Sequence, residues 1–377
     1  MHDEFLEQLS HVADIYQVAR LKDDRIGYPF PNDLRVFIPD LHIISHYRQQ
    51  EFGYKYNTNY NAHEDDLLPG MVKELIKFKK KVMDENEHTL NEEKKKTFEV
   101  YQLGDFLDLW RETNKPWKTK PAEWRGYVNR IIESNSYLYN AFLDETLHTN
   151  FVLGNHDFGL HLIDSFYPRW RFMIHYLVDK QDVPVGGIMH GDLFSWVERL
   201  PDPVQQFFVY FFSPQLPKKI RKQMVNTHIK GKFLIFKKYD KYRDYIMQEE
   251  APQFDEFPLT HGLPPGNEWN VKRKEQGSTD DLKYLNEAKQ YFSQINQKYD
   301  FNLRMIVMGH THYARIAVDD EDGQFFVLVD CGDWVKFHIA KVKENGTEKD
   351  IHMVNAQIGV LCNNDVRIYQ LSPKEGR

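Results

Sequence analysis

Five times along this chain, a short apolar run ends abruptly in polar residues able to bind a cation. Arg35-Val-Phe-Ile-Pro39 leads into Asp40, and Phe98-Glu-Val-Tyr-Gln-Leu103 leads into Gly104-Asp105. Asn150-Phe-Val-Leu153 leads into Gly154-Asn155-His156-Asp157, and Val185-Gly-Gly-Ile-Met189 into His190-Gly191-Asp192. Arg304-Met-Ile-Val-Met308 leads into Gly309-His310-Thr311-His312. Apolar runs this short, bounded by Gly and polar residues, predict buried strands. Leu67–Asp84 and Ala122–Leu147 carry apolar residues at helical spacing, so strands and helices alternate and the predicted fold class is α/β. Ligands of α/β sheets bind outside the carboxyl ends of the strands. All five polar clusters fall there, and one sheet edge is expected to carry them.

After His312 the pattern changes to short β-like runs, Ala314–Val318, Phe325–Val329, Lys336–Val342 and Val366–Leu371. They predict a second, more antiparallel sheet that closes a two-sheet β-sandwich flanked by helices. Asn345-Gly346 reads as a hairpin turn. Residues 1–33 read as an N-terminal helical extension with a Pro-containing loop. The main domain then spans 34–193 and 302–377. The interval 194–301 is poor in strand signals and reads as a helical cap insertion. It holds the aromatic run Phe207–Phe212, and between Gln215 and Tyr245 it has ten basic residues against only Asp240 and Asp244.

Composition narrows the classes. With 377 residues, 41% of them hydrophobic, the chain can bury a sizeable core, which excludes a wholly disordered one. The net charge of −7 argues against a protein built mainly to coat nucleic acid. Two cysteines, Cys331 and Cys362, do not make a disulfide framework, and a reducing cytoplasm is the simpler expectation. The charged N-terminus lacks the apolar segment of a secretory signal. No run approaches ~18 apolar residues, so no transmembrane helix is expected.

The polar clusters suggest a chemistry. An anionic phosphoester repels an incoming hydroxide. Two cations ~3.5–4 Å apart bind the phosphate oxygens, lower the pKa of a water and stabilise the leaving oxygen. Such a site needs a bridging carboxylate together with neutral nitrogen and oxygen ligands. The lack of Cys in the clusters argues against a soft structural zinc site, whereas His and Asp suit Mn, Fe or Zn. Asp40-x-His42 and His310-x-His312 each place two ligands on one side of an extended segment. Either pair alone is common by chance; the five clusters in order are not.

In that order, Asp40-x-His42, Gly104-Asp105-x-x-Asp108, Gly154-Asn155-His156-Asp157, His190-Gly191-Asp192 and Gly309-His310-x-His312 resemble the motifs of the calcineurin-like metallophosphoesterase superfamily. The resemblance covers roughly residues 35–340 and implies that superfamily's four-layer fold. It implies one ion held by Asp40, His42, Asp105 and His312, and another by Asp105, Asn155, His190 and His310, with Asp105 bridging. The two divalent ions are expected to be Mn²⁺, with Fe, Zn or Mg as alternatives. His156 is implied to protonate or stabilise the leaving oxygen, oriented by Asp108; general acid help of this kind is worth ~10²–10⁴-fold. Asp157 and Asp192 read either as groups that hold the ligands in orientation or as caps of following helices.

Leu109-Trp110 follows Asp108 where protein phosphatases of the superfamily carry Arg-Gly. Asp330-Cys-Gly-Asp333-Trp-Val335 is similar to a Gly-Asp-Trp-Val segment of the bacterial branch of UDP-2,3-diacylglucosamine pyrophosphohydrolases, which also insert a helical cap between the fourth and fifth motifs. This chain differs in its longer insertion, its extra N-terminal 33 residues, and His156 where many enzymes of that pathway carry Arg. The expected activity is hydrolysis of a phosphoester or pyrophosphate bond, with a UDP-sugar-lipid-like or other amphiphilic substrate as one reading. In that reading residues 194–245 contact the substrate or a membrane periphery. The same basic and aromatic residues suit single-stranded nucleic acid, so a nuclease or cyclic-nucleotide phosphodiesterase is an alternative. A helical hairpin with buried aromatics and solvated lysines is the plainest reading of the stretch. A non-catalytic scaffold on the same fold is a further alternative, although scaffolds tend to lose ligands and this chain keeps all of them.

Overall fold

The structure, a computed structural model, describes residues 1–47, 66–112, 121–152, 154, 157, 170–171, 175–191, 271–273, 279–320, 323–334, 337–344, 347–354 and 356–374. It is α/β, with two mixed sheets and a separate hairpin.

The first sheet has seven strands in the order β1 (Ala13–Lys22), β15 (Asp365–Pro373), β14 (Gln357–Cys362), β2 (Asp33–Ile38), β3 (Thr97–Gln102), β4 (Asn150–Val152) and β5 (Trp170–Arg171). β2 to β5 run parallel, and β1, β15 and β14 add antiparallel pairs. The second sheet has six strands in the order β6 (His175–Val178), β7 (Pro184–Ile188), β9 (Met305–Met308), β11 (Phe326–Cys331), β10 (Ala314–Asp319) and β8 (Val271–Arg273). In it β7, β9 and β11 are mutually parallel neighbours.

Three apolar clusters hold these parts together. On one face of the first sheet, Val36, Ile38 and Val100 meet α1 (His2–Leu9), α2 (Leu67–Glu87), α4 (Pro121–Ser134) and α5 (Ser136–Phe142), through Phe5, Leu75, Phe78, Val128 and Phe142. In α2 the buried Leu68, Met71, Val72, Leu75, Phe78 and Val82 recur at helical spacing, giving one apolar stripe. Its Pro69 lies in the first turn, where a missing N–H is harmless. Between the sheets, Phe37, Tyr101, Leu361 and Ile368 of the first pack on Val185, Ile188, Met305, Val307, Ile316 and Val329 of the second. On the far face of the second sheet, Ile306, Met308 and Leu328 are covered by Leu285, Ala288 and Phe292 of α6 (Thr279–Tyr299). Each such large side chain contributes ~1.5–3 kcal/mol when fully buried. Met305–Met308 is buried at every position, as expected of a central parallel strand covered on both faces.

Several expectations are corrected here. Residues 1–33 are not a helical extension. After the short α1 the chain forms β1, whose Ile15 and Ala19 pair with Leu371 and Ile368. Val12, Ile15, Tyr16 and Ala19 fit a helical stripe, but an open edge of β15, far away in sequence, offers this segment a ladder instead. The runs after His312 do not build one closing sheet. β10 and β11 join the second sheet, β14 and β15 join the first, and β12 (Phe337–Glu344) and β13 (Thr347–Val354) form a hairpin of their own. In that hairpin Glu344 pairs with Thr347; Asn345-Gly346, expected to form a turn, lies outside the described residues. The helical stretch expected over Ala122–Leu147 is two helices, broken at Asn135. Within 194–301 the described parts are β8, α6 and the two residues after it; β8 and α6 belong to the second sheet and its cover, and residues 194–270 and 274–278 lie outside the described residues. No helix among the described residues is long and apolar enough to cross a membrane.

Candidate metal centre

The five motif strands do not share one sheet edge. β2, β3 and β4 lie side by side in the first sheet, and β7 and β9 lie side by side in the second. Their carboxyl ends nevertheless converge, because the two sheets pack face to face and the loops after them meet across the gap. The loops after β2 and β3 are fastened by backbone bonds: Leu41 and His42 donate N–H to the Asp105 carbonyl at 3.1 and 2.8 Å, and Ile43 to that of Phe106 at 2.9 Å. The loops after β7 and β9 are joined by the Gly309 N–H to the His190 carbonyl at 3.2 Å.

Two groups of side chains result in which the ligand atoms lie within 4.8 Å of one another: Asp40, His42 and His312, and Asp40, Asp105 and His190. His312 Nε2 lies 3.0 Å from both Asp40 Oδ2 and His42 Nε2. Asp105 Oδ2 lies 3.5 Å from Nε2 of both His42 and His190, between the two groups. His310 Nδ1 lies 3.2 Å from His190 Nε2. Asp40, His42, Asp105 and His190 are buried, while His310 and His312 are partly exposed, so the open side of the centre is the side of the β9 loop.

The partners of the other ring nitrogens define the donor set. His190 Nδ1 lies 2.9 Å from the Leu103 carbonyl oxygen. A carbonyl only accepts, so the ring carries its hydrogen on Nδ1 and its lone pair on Nε2. His42 Nδ1 faces Asp108 Oδ2 at 3.2 Å, and His312 Nδ1 faces Asp333 Oδ2 at 3.2 Å. Ring nitrogens and carboxylate oxygens approach one another here to 3.0–3.5 Å, and these groups could hold a metal ion. The mix of imidazole and carboxylate suits Mn, Fe or Zn.

Four of these residues sit in a sparsely populated region of backbone conformation. His42, Asp105, His310 and His312 all have left-handed φ, from 46° to 72°. Asp and His tolerate that region better than most residues, yet such strain clusters where surrounding structure holds it for a purpose. Gly154 and Gly309 admit the carboxylates: a Cβ on Gly154 would strike Asp105 Oδ1, and one on Gly309 would strike Asp40 Oδ1.

Burial pushes the Asp40 carboxyl up to about 6; the His190 ring opposes the rise and the Asp105 charge adds to it. Both oxygens of Asp40 also accept the His310 N–H at 3.0 Å. Asp157 accepts N–H bonds from Phe106 (3.1 Å), Leu107 (2.8 Å) and Gly154 (3.2 Å), which fixes the loop that carries Asp105. Burial, with the neighbouring Asp105 charge, raises its carboxyl well above the usual range, against the pull of those three donors. Burial and the charge of Asp330 likewise raise the Cys331 thiol well above its ordinary value, so it stays neutral, and both cysteines are free.

Of the residues singled out in the sequence, Asp40, His42, Asp105, His190, His310 and His312 come together, with Asp108 and Asp157 against them. Asp40 faces both groups rather than one. Asp108 was expected beside His156; the described contact is with His42. Asn155, His156 and Asp192 lie outside the described residues.

The strand expected at Phe325–Val329 does form, but in the second sheet rather than in a closing one, and the residues at its carboxyl end were not anticipated in the site. β11 is parallel to β9 and pairs Asp330 with Met308, so its end delivers Asp330 and Asp333 to the same place. The signal was present in Phe325–Val329 followed by Asp330-Cys-Gly-Asp333, the same pattern as the other five. Glu112, the last residue of α3 (Leu109–Glu112), was also missed. Buried, it accepts the Ser45 N–H at 3.1 Å and the Ser45 hydroxyl at 2.7 Å, which anchors the far end of the Asp40–Ser45 loop.

No family model matches the chain, and no curated protein matches it.

Proposed function

We propose that this protein is a dinuclear metal-dependent phosphoesterase with the four-layer fold of the calcineurin-like metallophosphoesterases. What carries the reading is the placement of His312 Nε2 3.0 Å from both His42 Nε2 and the Asp40 carboxylate, with Asp105 between this group and His190. Helices on the outer faces of two packed sheets support the fold assignment. Asp40, His42, Asp105 and His312 would hold one divalent ion, and Asp105, Asn155, His190 and His310 the other. When bound, the ions supply positive charge for the phosphate oxygens and a water of lowered pKa. The protein's own part is to keep Asp40 and Asp105 buried and to hold the imidazoles beside them. The partly exposed His310 and His312 leave the substrate an approach. His156 would serve as general acid to the leaving oxygen.

The test is hydrolysis of bis-p-nitrophenyl phosphate. Chelation should abolish it and Mn²⁺ restore it; Asp105→Ala should lose it along with metal content. Full activity after exhaustive chelation, or in Asp105→Ala, would sink the reading.

A further inference from the structure

We propose that Asp330 is the positioning residue of the His310–His312 loop and acts through the Thr311 hydroxyl. The inference rests on reading His310 and His312 as metal ligands. Thr311 stands between them, and its Oγ1 donates to Asp330 Oδ2. The loop would supply one ligand to each of the two ions, so whatever sets its place sets both sites.

The backbone does not adopt this loop readily. His310 and His312, on either side of Thr311, have φ of 72° and 62°, a region that residues other than glycine keep only where their surroundings hold them. Four described bonds do the holding. The Gly309 N–H donates to the His190 carbonyl at 3.2 Å, and the His310 N–H to the Asp40 carboxylate at 3.0 Å. Both run to other candidate ligands, which themselves have to be placed. The Thr311 N–H donates to the Gly309 carbonyl at 2.9 Å, within the loop. Among these four, only the bond from the Thr311 side chain ties the loop to the frame of the second sheet outside the ligand set.

Asp330 is a firm end for that tie. It is fully buried and lies in β11, paired with Met308 of β9 on one side and Arg315 of β10 on the other. Its Oδ1 accepts the Gly332 N–H at 3.4 Å, and Arg315 Nη2 lies 3.6 Å from its Oδ2. The Arg315 guanidinium in turn sits over the Tyr284 ring of α6, 5.9 Å from the centroid. A line of contacts thus runs from the covering helix through Arg315 and Asp330 to the hydroxyl between the two histidines.

Amide hydrogen exchange of the full, metal-free chain tests this, with Thr311→Val (a near-isostere without the hydroxyl) and Thr311→Ser (hydroxyl kept). Thr311→Val should lose ~10-fold in protection at residues 310 and 311 with little change in melting temperature, and Thr311→Ser should keep it. In calorimetry Thr311→Val should weaken binding of both Mn²⁺ ions by ~10-fold or more, and Thr311→Ser should bind as wild type does. In an Asp330→Ala background, adding Thr311→Val should change neither quantity further. Protection within about twofold of wild type in Thr311→Val, an equal loss in the Ser and Val variants, or an undiminished effect of Thr311→Val in the Asp330→Ala background overturns the proposal. If Asp330→Ala does not fold, the two Thr311 variants still decide. A wild type that binds no divalent ion would instead refute the metal reading, and the exchange measurement, made without metal, would still decide what holds the loop.

Discussion

His42 and His312 stand 270 positions apart in the chain, yet their Nε2 atoms lie 3.0 Å apart. His42 follows a strand of one sheet and His312 a strand of the other, so this contact joins the sheets at the rim where the candidate ligands gather. Behind the His42 ring, Nδ1 is in hydrogen-bond contact with Asp108 Oδ2 at 3.2 Å.

The glycines of the rim give a direct test of this packing. At Gly154 and Gly309 a Cβ would overlap Asp105 and Asp40 respectively, and neither carboxylate can retreat without leaving the centre. We expect Gly154→Ala and Gly309→Ala each to destabilise by ~1–3 kcal/mol and to lower bound metal. Gly126 is the control: it lies within α4, a Cβ there meets nothing within 4 Å, and Gly126→Ala should stabilise by ~0.5–1 kcal/mol. Urea unfolding with metal analysis separates the two cases. Rim variants with wild-type metal content would mean that the ligands are not confined as described.

Asp330 predicts a pH dependence. Burial raises its carboxyl from 3.8 to about 7, opposed by Arg315. Its folded-state value is the higher one, so between about 4 and 7 the folded state holds more protons than the unfolded state, and stability falls as pH rises. The contribution is fully present below the unfolded value and gone above the folded one. Asp330→Asn cannot titrate. In metal-free protein its melting temperature should fall less than that of wild type from pH 4.5 to 7.5. Parallel profiles would show that Asp330 does not carry the effect.

Helix α6 is part of the folded core. Phe292 is buried, and its ring meets that of Phe326 of β11 edge-on, with centroids 5.8 Å apart. Phe292→Ala should cost ~3–5 kcal/mol in a single cooperative unfolding transition. A loss of only a few tenths, or a separate early transition, would make the helix an independent cap.

Much of the candidate site was legible because its residues are local to strand ends. A strand must stop where its apolar run stops, and the next residues are then at a carboxyl end whatever the topology; Asp40, Asp105, His190 and His310 could be placed that way. Asp330 and Asp333 follow the same rule, yet they were passed over because the strand before them was assigned to a closing sheet. Helix α2 was legible because one face of a helix repeats within a few residues, whereas β1 was not, because the edge it completes belongs to Asp365–Pro373.

What the sequence determined by itself was the alternation of buried strand and polar end, the α/β class that follows, and which side chains stand ready at those ends. What only the tertiary structure decided was the division of those strands between two sheets, and so which ligands face one another. Sheet membership depends on pairing between segments hundreds of residues apart, and hydrophobic periodicity carries no information about partners. Asp40 stands where the two groups meet because β2 and β9 end at the same rim from opposite sheets. No motif spacing contains that fact.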